Sequence, residues 1–219
     1  GLVRPDLGGP CMAELITINP YNPDPRLLST AARKIRAGGI AVIPTDTIYA
    51  IVCSANTRDS VKRLQSLKGV TSEGNKKPMS VLFSDIASVT EYTMGLSNQV
   101  YRAMRRTLPG PYTFILNASS RISSRALKKR KTIGVRIPDN SVTLAILSDI
   151  GGPLLSTSVA HTDEDHPLDD PIDICRRLDN GVDLVVDVGP IYPEDSTVVD
   201  FTENVAVVVR EGKGSIDLL

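Results

Sequence analysis

The sequence predicts an α/β protein built on a mixed β-sheet. Short apolar runs rich in Val and Ile recur along the chain, and segments with a helical spacing of apolar residues alternate with many of them. The last two runs, STVVDF and VAVVVR, are separated by only a few residues, so we expect them to pair antiparallel. The sheet should therefore contain strands of both directions.

The predicted elements can be placed in order along the chain. A first strand, LITI, precedes the helix PDPRLLSTAARKIR, which ends at Gly38 and Gly39. Further strands are predicted at IAVIP, MSVLF, YTFIL, TIGVRIP, PLLSTS, VDLVVD, STVVDF and VAVVVR. Further helices are predicted at SVKRLQSLK, SNQVYRAMRRTL, VTLAILSDI and DPIDICRRL.

Length and composition indicate one large domain. The chain has 219 residues, of which 41% are hydrophobic, and this is enough for a substantial core. We assign residues 1–20 to an N-terminal tail and the first strand, and residues 21–219 to a single domain. Lys plus Arg and Asp plus Glu both number 25, so overall charge favours neither nucleic acid nor membrane as a partner. No apolar run approaches the ~18 residues of a membrane span.

The three cysteines, Cys11, Cys53 and Cys175, lie far apart and show neither zinc-ligand spacing nor a disulfide framework. A reducing compartment is therefore expected. We predict a soluble protein of the cytoplasm or of an organelle matrix. The opening residues, GLVRPDLGGP, are rich in Gly and Pro, which predicts a tail. The sequence is compatible with a targeting segment that has been removed.

Several familiar site motifs are missing from the sequence. The terminal REGKGS contains Gly-Lys, but it lacks the upstream Gly and the following Ser or Thr of a GxxxxGK[ST] phosphate loop. No GxGxxG follows a strand, and no GxSxG is present. His161 and His166 lie in the acidic run VAHTDEDHPLDD. A metal site is one interpretation of that run, and we favour a solvated acidic loop.

Five short polar segments follow or close apolar elements: PTDTIY, LKG, PGPYT, VRIP and STS. In open α/β sheets, ligands bind beyond the carboxyl ends of strands. The residues that we place at or just beyond such ends are Thr45, Thr47, Arg136, Ser156 and Ser158. Hydroxyl and backbone N–H groups there can hold a phosphate or a carboxylate, with Lys68 and Arg136 as countercharges. Any one segment could be an ordinary cap or turn, but five of them favour a binding site.

The same segments resemble the YrdC-like family. PTDTIYAI, LKG followed by KPMSVL, PGPYTFIL, KTIGVRIP, LLSTS and STVVDFTENVAVVVREG occur in the family's order, over about residues 25 to 214. KRKTIGVRIPDN and LLSTSV are most similar to the YciO subgroup. The resemblance implies a twisted mixed α/β sheet with flanking helices and a concave binding face, similar to dihydroxybutanone-phosphate (DHBP) synthase.

The resemblance also implies an activity. YrdC-type members are L-threonylcarbamoyladenylate synthases, nucleotidyltransferases that form threonylcarbamoyl-AMP from L-threonine, bicarbonate and ATP with Mg²⁺ and release pyrophosphate. Partner proteins then transfer the threonylcarbamoyl group to an adenosine of tRNA. Positioning and charge stabilisation carry most of this chemistry, so we assign no catalytic side chain. We also expect no protein-bound metal and no tightly bound cofactor beyond the Mg²⁺ that accompanies ATP.

The family's functional residues can be carried over to matching positions of this sequence. By resemblance, the threonine pocket would be lined by Thr45, Thr47, Tyr49, Thr132 and Ser156. By the same resemblance, the nucleotide would be bound by Lys68, Lys77, Thr113, Arg136, Ser158, Ser196 and Arg210.

Two positions depart from the family pattern. Where the family has Lys-x-Arg, Lys68 is followed by Val70, and where it has Ser-x-Asn, Ser158 is followed by Ala160. In YrdC-type enzymes, the missing Arg and Asn help to bind the nucleotide. Each lost charge-assisted contact weakens ATP binding by roughly 1.5–3 kcal/mol, which is about tenfold or more. The sequence therefore leaves open whether synthase activity is weak or lost.

The alternative is an RNA- or nucleotide-binding relative of the YciO type without synthase activity. Residues 125–131, RALKKRK, contain five cations, and Lys128, Lys129, Arg130 and Lys131 could contact the phosphates of tRNA or double-stranded RNA. The segment could equally be a solvated basic loop, and it has no aromatic residue for base stacking. DHBP synthase chemistry is disfavoured because its acidic metal-ligand motif is missing. The sequence does not predict the oligomeric state.

Overall fold

The computed structural model describes residues 9–67, 79–122, 127, 130–157, 169–178 and 181–219. In this part of the chain, ten strands form one sheet, and six α-helices flank it. The predicted α/β class with a mixed sheet is therefore confirmed. None of the helices in the described ranges is long and apolar enough to cross a membrane.

The strands are β1 (Glu14–Thr17), β2 (Ala41–Ile43), β3 (Ala50–Ser54), β4 (Met79–Leu82), β5 (Tyr112–Asn117), β6 (Thr132–Arg136), β7 (Leu154–Thr157), β8 (Leu184–Asp187), β9 (Thr197–Asp200) and β10 (Val207–Arg210). The helices are α1 (Pro25–Arg36), α2 (Arg58–Gln65), α3 (Ile86–Tyr92), α4 (Asn98–Thr107), α5 (Ser141–Ile150) and α6 (Pro171–Arg177). A short 3₁₀ turn follows at Ile216–Leu218.

Local sequence explains where α1 begins and ends. The Asp24 side chain caps it by accepting a hydrogen bond from the Arg26 N–H at 2.8 Å, and Pro25 supplies a first residue that needs no N–H partner. After the helix, Gly38 takes a φ of 108°, which glycine adopts readily. The same capping chemistry recurs at α5, where the Asn140 side chain accepts from the Thr143 N–H.

Two elements of the structure were not predicted from the sequence, β3 and α3. The run IYAIVCS has no polar alternation, and it forms the buried strand β3, which pairs antiparallel with β2. The helix α3 has seven residues and is capped by Asp85, whose carboxylate accepts from the Ser88 N–H and hydroxyl. Accepting these bonds lowers the pKa of Asp85. Both elements are too short for their periodicity to be distinctive.

The strands follow the order β1-β8-β2-β3-β7-β4-β6-β5-β9-β10. Parallel pairing joins β1 to β8, β8 to β2, β4 to β6, and β5 to β9, and the other neighbours are antiparallel. The expected antiparallel pairing of the last two strands, β9 and β10, is confirmed. β2 and β7 consequently run in one direction, and β4 and β6 run in the other.

Alternation of side chains along the strands gives the sheet two apolar faces. One face, called here the α1/α5 face, packs against α1 and α5 and includes Ile43, Leu82 and Leu154. The opposite face packs against α2, α3, α4 and α6 and includes Val81 and Val135. Each fully buried Val, Leu or Ile side chain stabilises the fold by about 1.5–3 kcal/mol, so both faces fix the sheet between its helices.

The structure corrects the expectation about the cysteines. Cys11, which precedes β1, forms a disulfide with Cys175 in α6, and their Cα atoms are 5.5 Å apart. Their separation of 164 residues in the chain leaves no spacing pattern that the sequence could display. The inference of a reducing compartment rested on the absence of a disulfide, and that premise is wrong. Cys53 is a buried free thiol, and its burial raises its pKa to about 12.

Candidate functional site

The first component of the candidate site is the PTDT loop, residues 44–49, which joins β2 to β3. Thr45 stabilises this loop: its Oγ1 accepts from the N–H groups of Thr47 at 3.1 Å and Ile48 at 3.0 Å, and it donates to the Ile48 carbonyl oxygen. The Thr47 hydroxyl lies 3.1 Å from that of Thr45. The Thr45 hydroxyl therefore bonds the backbone N–H and carbonyl groups of the turn, while the Thr47 hydroxyl also contacts a residue from another strand.

That residue is Arg136, the last residue of β6. Its Nη1 donates to the Thr47 hydroxyl at 2.8 Å, and its Nη2 lies 2.5 Å from Oδ1 of Asp46. Only 7% of the Arg136 side chain and 9% of the Asp46 side chain are exposed. Desolvation lowers the pKa of Arg136, and the adjacent carboxylate of Asp46 opposes this effect. A cation and a carboxylate are thus fixed together at the PTDT loop, out of water.

The ion pair retains two buried polar atoms that have no hydrogen-bond partner in the described part of the chain. They are Oδ2 of Asp46 and Nε of Arg136. A buried polar group without a partner costs roughly 1–3 kcal/mol, and native structures keep few of them.

Three other predicted residues form a second cluster on the neighbouring strands. The Thr113 hydroxyl on β5 lies 2.7 Å from that of Ser196, just before β9. Arg210, at the end of β10, donates through Nε and Nη2 to the Ser196 carbonyl oxygen at 3.1 and 2.9 Å. Arg210 also lowers the pKa of Arg136, which indicates that the two guanidinium groups share one region.

Strand register explains why these clusters adjoin. Phe114 on β5 pairs with Val135 on β6, so Thr113 lies across from Arg136. Thr113 in turn pairs with Val198 on β9, and Val198 pairs with Arg210 on β10. One row of the sheet therefore carries Arg136, Thr113 and Arg210 on three strands.

The ion pair joins residues that follow or end two strands, β2 and β6, of opposite direction. β6 runs opposite to β2, so their carboxyl ends point to different edges of the sheet. The PTDT loop and the end of β6 nevertheless meet, through the contacts of Arg136 with Asp46 and Thr47.

The remaining predicted threonine-site residues lie apart from the ion pair. Tyr49 belongs to the core of the opposite face, and its hydroxyl donates to the Gly189 carbonyl oxygen at 2.6 Å and accepts from the Val188 N–H. Thr132 shares a face with Arg136, but it begins β6 and lies about 13 Å from it along the strand. Ser156 is buried on β7, two strands away from β6.

Several predicted residues lie outside the described residues. They are Lys68, Lys77, Ser158, Lys128 and Lys129, together with Val70 and Ala160 of the motif departures and His161 and His166 of the acidic run. Within the basic cluster, Arg130 is half-buried and Lys131 is exposed, and both lie immediately before β6.

The structure adds three residues to which the sequence assigned no role. Asp46 forms the buried ion pair, and Thr143 at the start of α5 donates its hydroxyl hydrogen to the Pro44 carbonyl oxygen. Lys213, in the GK dipeptide that matches no phosphate loop, donates to the Asp46 carbonyl oxygen at 2.7 Å. Only Asp46 gave a signal in the sequence, as a carboxylate between two threonines in a mainly apolar stretch.

The chemistry available at the site is recognition of a molecule with both a cationic donor and anionic oxygens. Arg136, Arg210 and Lys213 supply positive charge, and Asp46 supplies the buried acceptor. Among the described residues, no group of three or more His, Cys, Asp and Glu side chains could hold a metal ion. The arrangement therefore suits binding and alignment of charged groups.

Comparison with known proteins identifies the class to which this fold and site belong. The Sua5/YciO/YrdC family model, described as "Telomere recombination", matches residues 33–212, and the chain belongs to that family. E. coli YciO, whose name assigns no activity, is 34% identical over 206 residues, covering 94% of this chain and 98% of YciO. Its crystal structure matches with a TM-score of 0.84 at 33% identity, covering 94% of this chain and 99% of that one.

Two further relatives carry more specific names. Mouse threonylcarbamoyl-AMP synthase is 31% identical over 183 residues, covering 80% of this chain and 62% of the synthase. The crystal structure of P. abyssi Sua5 complexed with L-threonine has a TM-score of 0.80 at 21% identity, covering 90% of this chain and 57% of that one. At that identity, the similarity to Sua5 concerns the fold alone.

Proposed function

We propose that the protein binds L-threonine and ATP and slowly forms threonylcarbamoyl-AMP for threonylcarbamoyladenosine modification of tRNA. The observation that carries this proposal is the Asp46–Arg136 pair fixed at the PTDT loop, in a chain of the Sua5/YciO/YrdC family. An α-amino acid carries the same two charges, so its ammonium and carboxylate groups would lie beside this pair. The Thr47 hydroxyl would form a hydrogen bond with the side-chain hydroxyl of threonine.

The proposed reaction needs alignment of two anions more than it needs a nucleophilic side chain. The bound ammonium group gives up a proton to solvent, and the resulting amine condenses with bicarbonate with loss of water, which leaves a carbamate. A carbamate oxygen then attacks the α-phosphorus of ATP, the bond to the bridging oxygen breaks, and pyrophosphate leaves. Arg136 and Arg210 would stabilise the negative charge of the phosphoryl group. Mg²⁺ would enter with ATP, held mainly by phosphate oxygens and water.

Slow turnover is expected because the family's Arg and Asn are replaced by Val70 and Ala160. Similarity to a threonylcarbamoyl-AMP synthase over 80% of this chain supports the reaction itself. The alternative function is binding of RNA or nucleotide without synthesis.

The test is pyrophosphate release from Mg-ATP by the full chain, with L-threonine or bicarbonate omitted in turn. We expect release only when both are present, together with a product of the mass of threonylcarbamoyl-AMP. Thr47→Val, which removes the hydroxyl that Arg136 contacts, should lower kcat/KM for threonine about tenfold, because it leaves a buried guanidinium donor without its acceptor. Thr30→Val on α1 removes a surface hydrogen bond from the Thr30 hydroxyl to the Arg26 carbonyl oxygen; it is the matched control and should leave kcat/KM unchanged.

Two outcomes would contradict the proposal. ATP binding without threonine-dependent release would favour the non-synthesising alternative, which predicts that a tRNA or double-stranded RNA probe is retained in a gel-shift assay. Equal effects of Thr47→Val and Thr30→Val on kcat/KM would exclude the PTDT loop as the threonine site.

A further inference from the structure

The segment of residues 210–215, called here the GKG segment, is held firmly against the sheet. The Lys213 N–H donates to the Asp195 carbonyl oxygen at 2.9 Å. The fully buried hydroxyl of Thr197 donates to the Gly214 carbonyl oxygen at 2.6 Å and accepts from the Gly212 N–H at 2.9 Å. These bonds fix the backbone on both sides of Lys213.

The two glycines that flank Lys213 are required by close packing. A Cβ atom at Gly214 would lie 2.5 Å from Cζ of the Tyr112 ring, and a Cβ atom at Gly212 would overlap the Asp195 carbonyl oxygen. The Tyr112 hydroxyl donates to the Ser215 carbonyl oxygen at 2.8 Å. The Gly-Lys-Gly sequence therefore serves to bring the backbone down onto β5 and β9, and this places one long cation at a defined position.

That position is the PTDT loop. The Lys213 ammonium donates to the Asp46 carbonyl oxygen at 2.7 Å, next to the carboxylate that pairs with Arg136. An ammonium group has three N–H donors, and this contact uses one of them. The Lys213 side chain is exposed, so a ligand can approach it from solvent.

The charges around the loop favour a ligand with several negative charges. Arg136, Arg210 and Lys213 are cations, and the buried Asp46 neutralises only one of them. The exposed carboxylates of Glu194 and Asp195, and of Glu211 next to Arg210 in the chain, lie nearby, and water screens these charges and that of the exposed Lys213 alike. The three cations together offer more donors than a single carboxylate can accept from, so they suit a phosphate chain better.

We propose that Lys213 is a phosphate-binding residue of the nucleotide site. This inference rests on the proposed function, since it concerns ATP and the pyrophosphate that leaves. It assigns a role to the GK dipeptide although the sequence around it is not a phosphate loop.

The test compares Lys213→Ala, Lys213→Gln and Lys213→Arg with wild type by titration calorimetry. The probes are Mg-ATP, inorganic pyrophosphate, AMP and L-threonine. Lys213→Gln keeps a donor for the Asp46 carbonyl oxygen but removes the charge. We expect Lys213→Ala and Lys213→Gln to raise the Kd for ATP and pyrophosphate about tenfold. Lys213→Arg should keep the Kd within about threefold of wild type, because it retains the positive charge that binds the phosphate. AMP and L-threonine should bind almost unchanged.

Lys62→Gln removes an exposed lysine of α2 and serves as the matched control, with thermal unfolding of every variant as the folding check. If Lys213→Gln binds ATP and pyrophosphate as wild type does, Lys213 serves only to hold the PTDT loop in place and the inference is wrong. It is also wrong if only L-threonine binding weakens, because the cation would then serve a carboxylate. If wild type binds neither ATP nor pyrophosphate, the proposed function fails together with the inference.

Discussion

Asp46 contacts two cations of the candidate site, Arg136 and Lys213. Its Oδ1 contacts Arg136, its carbonyl oxygen accepts from Lys213, and its Oδ2 has no partner among the described residues. The carboxylate and the guanidinium are almost fully buried, so each needs the charge of the other. Removing one partner of a buried ion pair leaves an uncompensated charge, which typically costs about 3–5 kcal/mol.

Asp46→Asn is therefore expected to lower the free energy of unfolding by about 3 kcal/mol, measured by urea denaturation. The side chain keeps its shape, so the loss reports on charge. Asp149→Asn is the matched control because Asp149 pairs with Arg36 at the surface, with 46% of its side chain exposed. That variant should lose less than about 1 kcal/mol. Equal losses in the two variants would mean that the Asp46 pair is solvated.

Among the elements, β6 shows how one strand serves both the core and the site. Ile133 and Val135 belong to the apolar core of one face, while Arg136 lies on the other. Because side chains alternate along a strand, a register shift of one residue would move the Arg136 side chain to the apolar face that carries Ile133 and Val135. The pairing of β6 with both β4 and β5 holds that register.

The GKG segment depends in a similar way on close backbone packing, and Gly214→Ala tests it. The added Cβ would meet the Tyr112 ring, so we expect the free energy of unfolding to fall by about 1–3 kcal/mol. The Kd for pyrophosphate should rise as Lys213 is displaced.

Gly152→Ala is the matched control for this change. A Cβ atom there would meet the Asn56 side chain at an ordinary 3.5 Å, so the stability should stay within about 0.5 kcal/mol of wild type. If Gly214→Ala unfolds at the same urea concentration as Gly152→Ala, the segment packs less closely than described here.

For the molecule as a whole, the Cys11–Cys175 disulfide joins the segment before β1 to α6. β1 is an edge strand, and it pairs only with β8 within the described sheet. A crosslink between residues 164 positions apart restricts most of the unfolded chain. Long loops of this kind typically stabilise a fold by about 2–5 kcal/mol.

We therefore expect a reducing agent to lower the free energy of unfolding of wild type by about 2–5 kcal/mol in urea titrations. The variant Cys11→Ser should show the lower stability with or without reductant. Cys53 is buried with a raised pKa, so it should resist alkylation in the native protein and react only after unfolding. Wild type that is insensitive to reductant would indicate that the two thiols remain unpaired.

The sequence by itself determined the fold class, most strands and helices, and the family. These properties depend on local periodicity, on capping residues such as Asp24, and on the order of short motifs along the chain. It also selected Thr47 and Arg136 as binding candidates, because they lie in polar segments at the ends of apolar strands, and it selected Arg210 through the family resemblance.

Only the tertiary structure decided which of these residues meet. Asp46 and Arg136 are 90 residues apart, and the disulfide spans 164, so no local pattern reports either contact. Tyr49 belongs to the core of the opposite face, and Thr132 lies at the other end of β6 from Arg136, so neither reaches the ion pair. Lys213 joins the site because two glycines let its backbone pack against Tyr112 and Asp195. Such contacts arise from long-range pairing, which strand register fixes and sequence spacing does not encode.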